Sequence, residues 1–422
     1  MHLIARSVVD LDPRAEPGRE FAVVIDPAVP PAAATDRPLE VAMVVPALVD
    51  ASVRFRGYRE SLADAPFGAA AHVADLHGRF GVGACRESGN SWEALRHVVD
   101  VLGVRHVATS GPVLVDGEPG HEIERPVVGA DGALRAVASA ELEGATWIGL
   151  GPTLPPELVR AVATEATARG LRVAARPGRT GLGELVAAGV RAVHGAHALL
   201  DGPPLDDPAE AALAWADVDP DRRAAEVGEA LVGHGVALVP EYVAARRRVL
   251  LDEAIDARDL ELLVPILPAA RHLLEMRRAG GQAIGRRQLA DHGAMRSLRR
   301  RERARARDGL DRLGAFVAAL AAGGVRLWPG SAAPSIGVVP GAALWEELEA
   351  LMVAGVEPIE LLWSASTGAL DLLGLDGIEP GVLGTGGAVA LGADPRESPG
   401  DALRGVAPVR LAAAQASLRR AG

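Results

Sequence analysis

The sequence predicts an α/β protein: a (β/α)8 TIM-type barrel with a small flanking β-sandwich formed by both chain ends. Three observations lead there. From Val41 onward, short apolar runs alternate with helical patterns. Eight such runs can be marked, which suits a closed barrel better than an open sheet. The text before residue 47 and after residue 374 is turn-rich and extended, with no long helix legible at the N-terminal end. The predicted division is residues 1–46 plus 375–422 as the composite sandwich and residues 47–374 as the barrel, with a helical insertion at about 242–311.

Taken in order, the N-terminal strands are read at Leu3–Ala5 and Phe21–Ile25, before a Pro/Ala-rich joint at Val29–Ala34. The eight barrel runs are Met43–Pro46, Val82–Cys85, Arg105–Ala108, Thr146–Leu150, Arg172–Ala175, Arg191–His194, Val236–Val239 and Val325–Trp328. Between the fourth and fifth, prolines open a helix at Pro156, Leu158, Val159, Val162 and Ala166 form one face, and Gly170 follows it. After the eighth run comes a Pro329-Gly330 break, then a helix carrying Leu344, Leu348, Leu351 and Met352 at i, i+4, i+7 and i+8. Gly355 suits a C′ position, and Pro358 starts the next helix. A terminal helix is expected around Val409–Leu418.

Composition bounds the chemistry. The 422 residues are 49% apolar and 23% charged, enough for one large buried core. No apolar run approaches the roughly 18 residues of a membrane span, and the start lacks a signal peptide's pattern. The single cysteine, Cys85, excludes an internal disulfide framework; a cytoplasmic location is expected. A net charge of −11 argues against nucleic acid as a partner, and no membrane partner is expected; a homo-oligomer is compatible with the sequence. All 44 basic residues are arginine. The lack of lysine removes Schiff-base chemistry, a P-loop lysine and a carbamylated-lysine metal bridge. The arginines of the insertion, Arg286 to Arg307, have no interleaved aromatics for base stacking and read as a solvated helix.

Several motifs carry a resemblance. Gly337-Val338-Val339-Pro340-Gly341, Glu346-Glu347-Leu348 and Ala354-Gly355-Val356-Glu357-Pro358 precede Ser366-Thr367. Upstream, Leu185–Val190 leads into Arg191-Ala192-Val193-His194-Gly195, and Ile378-Glu379-Pro380-Gly381 leads into the C-terminal strands. In this order they resemble the amidohydrolase superfamily, in particular its imidazolonepropionase-like and prolidase-like branch. The resemblance spans nearly the whole chain. It implies a metallo-hydrolase barrel acting on carbon–nitrogen bonds, plus a small β-sandwich built from both chain ends.

The ligand positions implied by that resemblance are not conserved in kind. The first-strand His-x-His pair falls at Ser52 and Arg54, in Pro46–Arg54. The bridging lysine falls near Gly149, the fifth-strand histidine at Arg176 and the eighth-strand aspartate near Ala332, while the sixth-strand histidine remains as His194. Arginine has no lone pair for a metal, and zinc needs three or four ligands. No metal and no other cofactor is expected.

If the strand ends gather, Asp50, Ser52, Arg54, Arg86, Glu87, Arg176, His194, Glu241 and Ser331 converge. Two readings stand side by side. In one, Arg54, Arg86 and Arg176, helped by Ser52 and Ser331, bind an anionic small molecule. In the other, the arginines pair with Asp50, Glu87 and Glu241 and fill a dead cavity. Residual metal-independent hydrolysis would use His194 as acid or base, oriented by Glu241 or Glu87. The readings are thus an amidohydrolase-like protein without a metal centre, either a non-hydrolytic pseudoenzyme or a binder of an anionic small molecule; a metal-free enzyme; or a hydrolase with an unrecognised metal site. Cys85, inside an apolar run, reads as a core residue.

Overall fold

The computed structural model describes residues 2–8, 21–24, 39–54, 66–89, 106–119, 123–200, 202, 205, 207–254, 257–267, 270–271, 273–275, 298–374, 387–391, 393–398, 407–410 and 419–420. Its strands are β1 (His2–Val8), β2 (Phe21–Val24), β3 (Leu39–Pro46), β4 (Leu48–Val53), β5 (Val82–Glu87), β6 (His106–Thr109), β7 (Val113–Val115) and β8 (Glu124–Pro126). They continue as β9 (Trp147–Leu150), β10 (Arg172–Ala175), β11 (Ala192–His194), β12 (Ala237–Val239), β13 (Gly387–Leu391), β14 (Ala407–Arg410) and β15 (Arg419–Arg420).

The structure is mixed α/β with parallel sheets. One six-stranded sheet runs β12-β11-β10-β9-β7-β8, and a three-stranded sheet runs β4-β5-β6; all their pairings are parallel. Parallel pairing needs a crossover, and helices such as Pro66–Arg79, Pro156–Ala168 and Pro220–Gly233 supply it. Backbone bonds also link the sheets. Thr146 N donates to Thr109 O at 3.0 Å, between the two. Leu238 N donates to Arg326 O, and Trp328 N to Leu238 O, tying β12 to residues 326–328. On the other side of that segment, Ala51 N donates to Pro329 O and Ala332 N to Ser52 O, reaching β4.

Most expected strands form within a residue or two of their predicted limits. Two expectations are corrected. Met43–Pro46 belongs to β3, which pairs with β1 and β13, and Leu48–Val53 takes the place expected for it. The run is continuous with β4 in apolar character, so periodicity alone does not show where the chain leaves one sheet for the next. The expected terminal helix begins in β14 instead, because Val409 pairs with Ala388; residues 411–418 lie outside the described residues. Val325–Trp328 pairs only by a bridge from Leu327 to Leu238. Strands β7 and β8 were not anticipated. Arg286, Arg287 and Arg296 also lie outside the described residues.

Strands from both chain ends share a further sheet, ordered β14-β13-β3-β1-β2-β15. It adjoins the rest directly, since Val389 and Leu391 join Leu48 and Val82 in one apolar cluster. A second cluster lies among the parallel strands. Ala51, Ala84, Ala108, Ala174, Ala192 and Ala237 come from six strands and surround Trp147 and Trp328. Small alanines leave room that two indoles fill, packed edge-on with centroids 6.2 Å apart. The Trp147 indole N–H donates to Leu372 O at 2.8 Å, which fixes that ring.

The helices follow their amphipathic patterns. Pro156–Ala168 buries Leu158, Val159, Val162 and Ala166, the predicted face. Arg300–Ala322 buries Leu310, Leu313, Phe316 and Val317, while Arg300, Arg301, Arg305 and Arg307 are exposed, as a solvated face requires; Arg303, read with them, is buried instead. No helix among the described residues is long and apolar enough to cross a membrane.

Candidate functional site

The site is built at the carboxyl ends of parallel strands, where α/β folds place ligand chemistry. Ser52 comes from β4, Arg54 from just past it, Arg86 from β5, Arg176 from just past β10, His194 from β11 and Glu241 from just past β12. All of these line one cavity of about 370 Å³.

Glu241 is its hub. Its carboxylate accepts from Ser52 Oγ at 2.8 Å, His194 Nδ1 at 3.0 Å and Arg176 Nη2 at 2.5 Å. Burial alone would raise its pKa, but the Arg176 charge and the His194 and Ser52 bonds hold it well below the usual range. The backbone at Glu241 is left-handed, with φ 52°. That conformation is uncommon for a non-glycine residue and persists where surroundings over-determine it. Here Glu347 helps, its two carboxylate oxygens accepting Tyr242 N at 2.9 Å and Val243 N at 2.6 Å.

Arg86 is 2% exposed and closes the floor. Its Nε donates to Ala51 O at 3.1 Å, its Nη1 to Ser110 Oγ at 3.0 Å, and its Nη2 to His194 Nε2. The guanidinium also sits 5.3 Å from the Trp147 ring centroid, a cation–π contact. Burial lowers the Arg86 pKa to about 10, with Glu241 and Glu87 opposing the fall, so it stays charged at neutral pH.

His194 is therefore held from both sides. Burial first, and then the Arg86 charge, lower its pKa to about 4 against the pull of Glu241. The neutral ring carries its proton on Nδ1, facing Glu241, and offers the Nε2 lone pair to Arg86. A near-neutral acid–base role does not follow from this arrangement.

Two expected site residues stand elsewhere. Ser331 is fully buried outside the cavity lining; its Oγ donates to Asp50 Oδ2 at 2.5 Å and its N–H to Asp50 Oδ1 at 3.0 Å. Asp50 also receives Ser52 N at 3.1 Å and faces His77 Nε2 at 3.4 Å. It clasps β4 to the loop after Trp328, because an inward carboxylate at that depth must be met by donors. Glu87 is fully buried outside the cavity lining as well, accepting from Thr109 Oγ1 at 3.3 Å, so the partner of His194 is Glu241. Cys85 is buried, and burial holds its thiol pKa well above the usual value. His197 and Arg248 also line the cavity; the sequence gives no sign of Arg248, and it sets His197 aside as a metal ligand because no carboxylate or cysteine adjoins His194-Gly195-Ala196-His197. The His-x-x-His spacing of His194 and His197 was the available signal.

No family model matches the chain, and no curated protein matches it. Solved structures do. The bottromycin amidohydrolase structure superposes with a TM-score of 0.64 at 19% identity, covering 97% of this chain and 85% of that one. A. niger ochratoxinase gives 0.62 at 16% identity, over 98% and 94%. A Xaa-Pro dipeptidase with bound methionine gives 0.59 at 17% identity, over 97% of each. The chain shares the fold of these structures. The positions where the resemblance implies metal ligands hold Ser52, Arg54, Gly149, Arg176, His194 and Ala332. Among the described residues no group of three or more His, Cys, Asp or Glu side chains could hold a metal ion. A Cβ at Gly149 would lie 3.3 Å from Val113 Cγ2, a tight contact.

Proposed function

We propose that this protein is an amidohydrolase-like binder of an anionic small molecule, without a metal centre and without hydrolytic turnover. The links from β12 through residues 326–333 to β4, and from β6 to β9, are read as closing a (β/α)8 barrel. The sheet shared by both chain ends is read as part of a flanking sandwich. The reading also takes the protein as cytoplasmic, with neither nucleic acid nor membrane as partner.

The observation that carries it is the engagement of His194. It is the one residue matching a metal-ligand histidine, yet Arg86 donates to its Nε2 and Glu241 accepts from its Nδ1. A metal there would have to displace a buried guanidinium and then find further donors among Ser52, Arg54, Gly149 and Arg176, none of which suits one. Guanidinium charge instead stands where a divalent cation would. Arg176 engages Glu241 through Nη2 and is 29% exposed at its side chain, so its fork also faces the cavity. Arg54 and Arg248 add positive charge to the same walls. Such a surface suits carboxylate or phosphate groups.

The likeness to hydrolases supports the second reading, hydrolysis of a carbon–nitrogen bond. One experiment separates the two. Protein grown with added zinc and manganese is exhaustively chelated, then assayed for retained metal, for thermal stabilisation by anions and for cleavage of acyl amino acids and dipeptides. The binder reading expects trace metal, a rise in Tm with anions and no cleavage. Stoichiometric retained metal with chelator-sensitive cleavage would overturn it.

A further inference from the structure

One buried polar side chain of the cavity has no role in the network around Glu241. His197 is 8% exposed and lines the cavity, and its Nδ1 is buried with no hydrogen-bond partner among the described residues. Buried polar groups left this way are rare and ask for an explanation. The ring is held in place. It stands on a short 3-10 turn, Ala196–Ala198, and its backbone carbonyl accepts the Trp215 indole N–H at 3.0 Å. Gly195 has φ 78°, and a Cβ there would lie 2.9 Å from His197 Cε1 and 3.7 Å from Glu241 Oε2. Glu241 Oε2 is the oxygen that Arg176 grips. The imidazole and the Glu241 carboxylate thus both border Gly195, and Arg176 holds that carboxylate.

Burial, and next the Arg176 charge, lower the His197 pKa to about 3, so the ring is neutral. An orphaned buried N–H is rarer than an orphaned acceptor, so the bare nitrogen is Nδ1 and the proton is on Nε2. The Nε2–H is then a donor for whatever fills the cavity. Around it the walls are of two kinds. Val113, Val115, Ile123, Leu150, Pro152 and Leu205 give an apolar side. Glu118 and Glu124 also line it and disfavour a ligand with a second negative charge.

We propose that the cavity takes a monoanionic carboxylate with an apolar body, its carboxylate held by His197 Nε2–H and Arg176 and its body against the apolar wall. This rests on the anion-binding reading and narrows it to organic acids.

The test is calorimetric titration of the full chain with acetate, butyrate, hexanoate, octanoate and inorganic phosphate. Each added methylene is expected to tighten binding about fourfold until the wall is covered. Hexanoate should bind more tightly than phosphate. His197→Ala should weaken hexanoate about tenfold, and His197→Gln, whose amide N–H can stand in for Nε2–H, should recover most of that. A flat chain-length series, tighter phosphate, or unchanged hexanoate affinity in a folded His197→Ala overturns the proposal while leaving anion binding intact. If none of the five binds, the anion-binding reading fails and takes this one with it. Should His197→Ala not fold, the wild-type series and His197→Gln still decide.

Discussion

Arg86 and His194 are 108 residues apart in sequence and bonded in the structure, Nη2 to Nε2. On its other side His194 Nδ1 donates to Glu241 Oε1 at 3.0 Å. A guanidinium that stays charged at neutral pH is thus placed against the only lone pair of the ring, which disfavours a second proton.

The first prediction is a pH profile. His194 and His197 have folded pKa values of about 4 and about 3, against 6.5 unperturbed. The unfolded chain takes up protons first, so stability is retained above pH 6.5 and lost as pH falls toward 4 and then 3. Imidazole NMR titration should show both rings neutral at pH 6, His194 with its proton on Nδ1. Replacing Arg86 by Leu removes the second-largest cause and should raise the His194 pKa. An unmoved His194 titration in Arg86→Leu would refute the role given to that charge.

A second prediction concerns the hub. Removing one partner of a fully buried ion pair destabilises by roughly 3–5 kcal/mol, but Arg176 is partly open to solvent, which screens the loss. Glu241→Gln should therefore destabilise by on the order of 2 kcal/mol, and Arg176→Gln by less. A denaturant double-mutant cycle should find the two coupled. Additive effects would mean that the contact adds nothing to stability.

Much of this architecture was legible in the sequence, and the failures have physical reasons. Period and length give Arg172–Ala175 and the Pro156 helix because Val173–Ala175 is a short run apolar throughout, one face of the helix is apolar, and glycine or proline bounds each. Met43–Pro46 was misplaced because adjoining apolar strands read as one text. Ser52, Arg54, Arg86, Arg176, His194 and Glu241 were brought together by counting strand ends. The same count gathers Ser331 and Glu87, which lie outside the cavity lining, because strand-end position does not tell which way a side chain faces; Asp50 and Thr109 are what meet them. His197 is legible beside His194 only as a weak metal pair, because it stands one turn beyond β11, where strand periodicity no longer says that it faces the cavity.

A third prediction separates clasp from cavity. Ser331→Ala removes a 2.5 Å donor from the buried Asp50 carboxylate and should lower stability by about 1–3 kcal/mol. Since Ser331 does not line the cavity, anion affinity should change less than twofold. A large affinity loss in a stable Ser331→Ala would show that the loop after Trp328 reports on the ligand.

The last prediction concerns the residue behind the hub. Burial raises the Glu347 pKa to about 8, against the lowering effect of the Val243 and Tyr242 N–H groups, with Glu241 and Asp50 adding to the rise. A raised carboxyl binds its proton more tightly in the folded chain, so its contribution is full below pH 4.5 and is lost as pH rises through 8. That slope is opposite in sign to the one from the histidines. Glu347→Gln should flatten stability between pH 5 and 8, as read by urea midpoints, while lowering it by about 1–3 kcal/mol because the amide NH2 replaces one of the two oxygens that meet Tyr242 N and Val243 N. It should also loosen the left-handed turn at Glu241, seen as a rise in the His194 pKa if that carboxylate moves closer or a further fall if it withdraws. If Glu347→Gln leaves both the urea profile and the His194 titration unchanged, Glu347 does not hold the turn that aims Glu241 into the cavity.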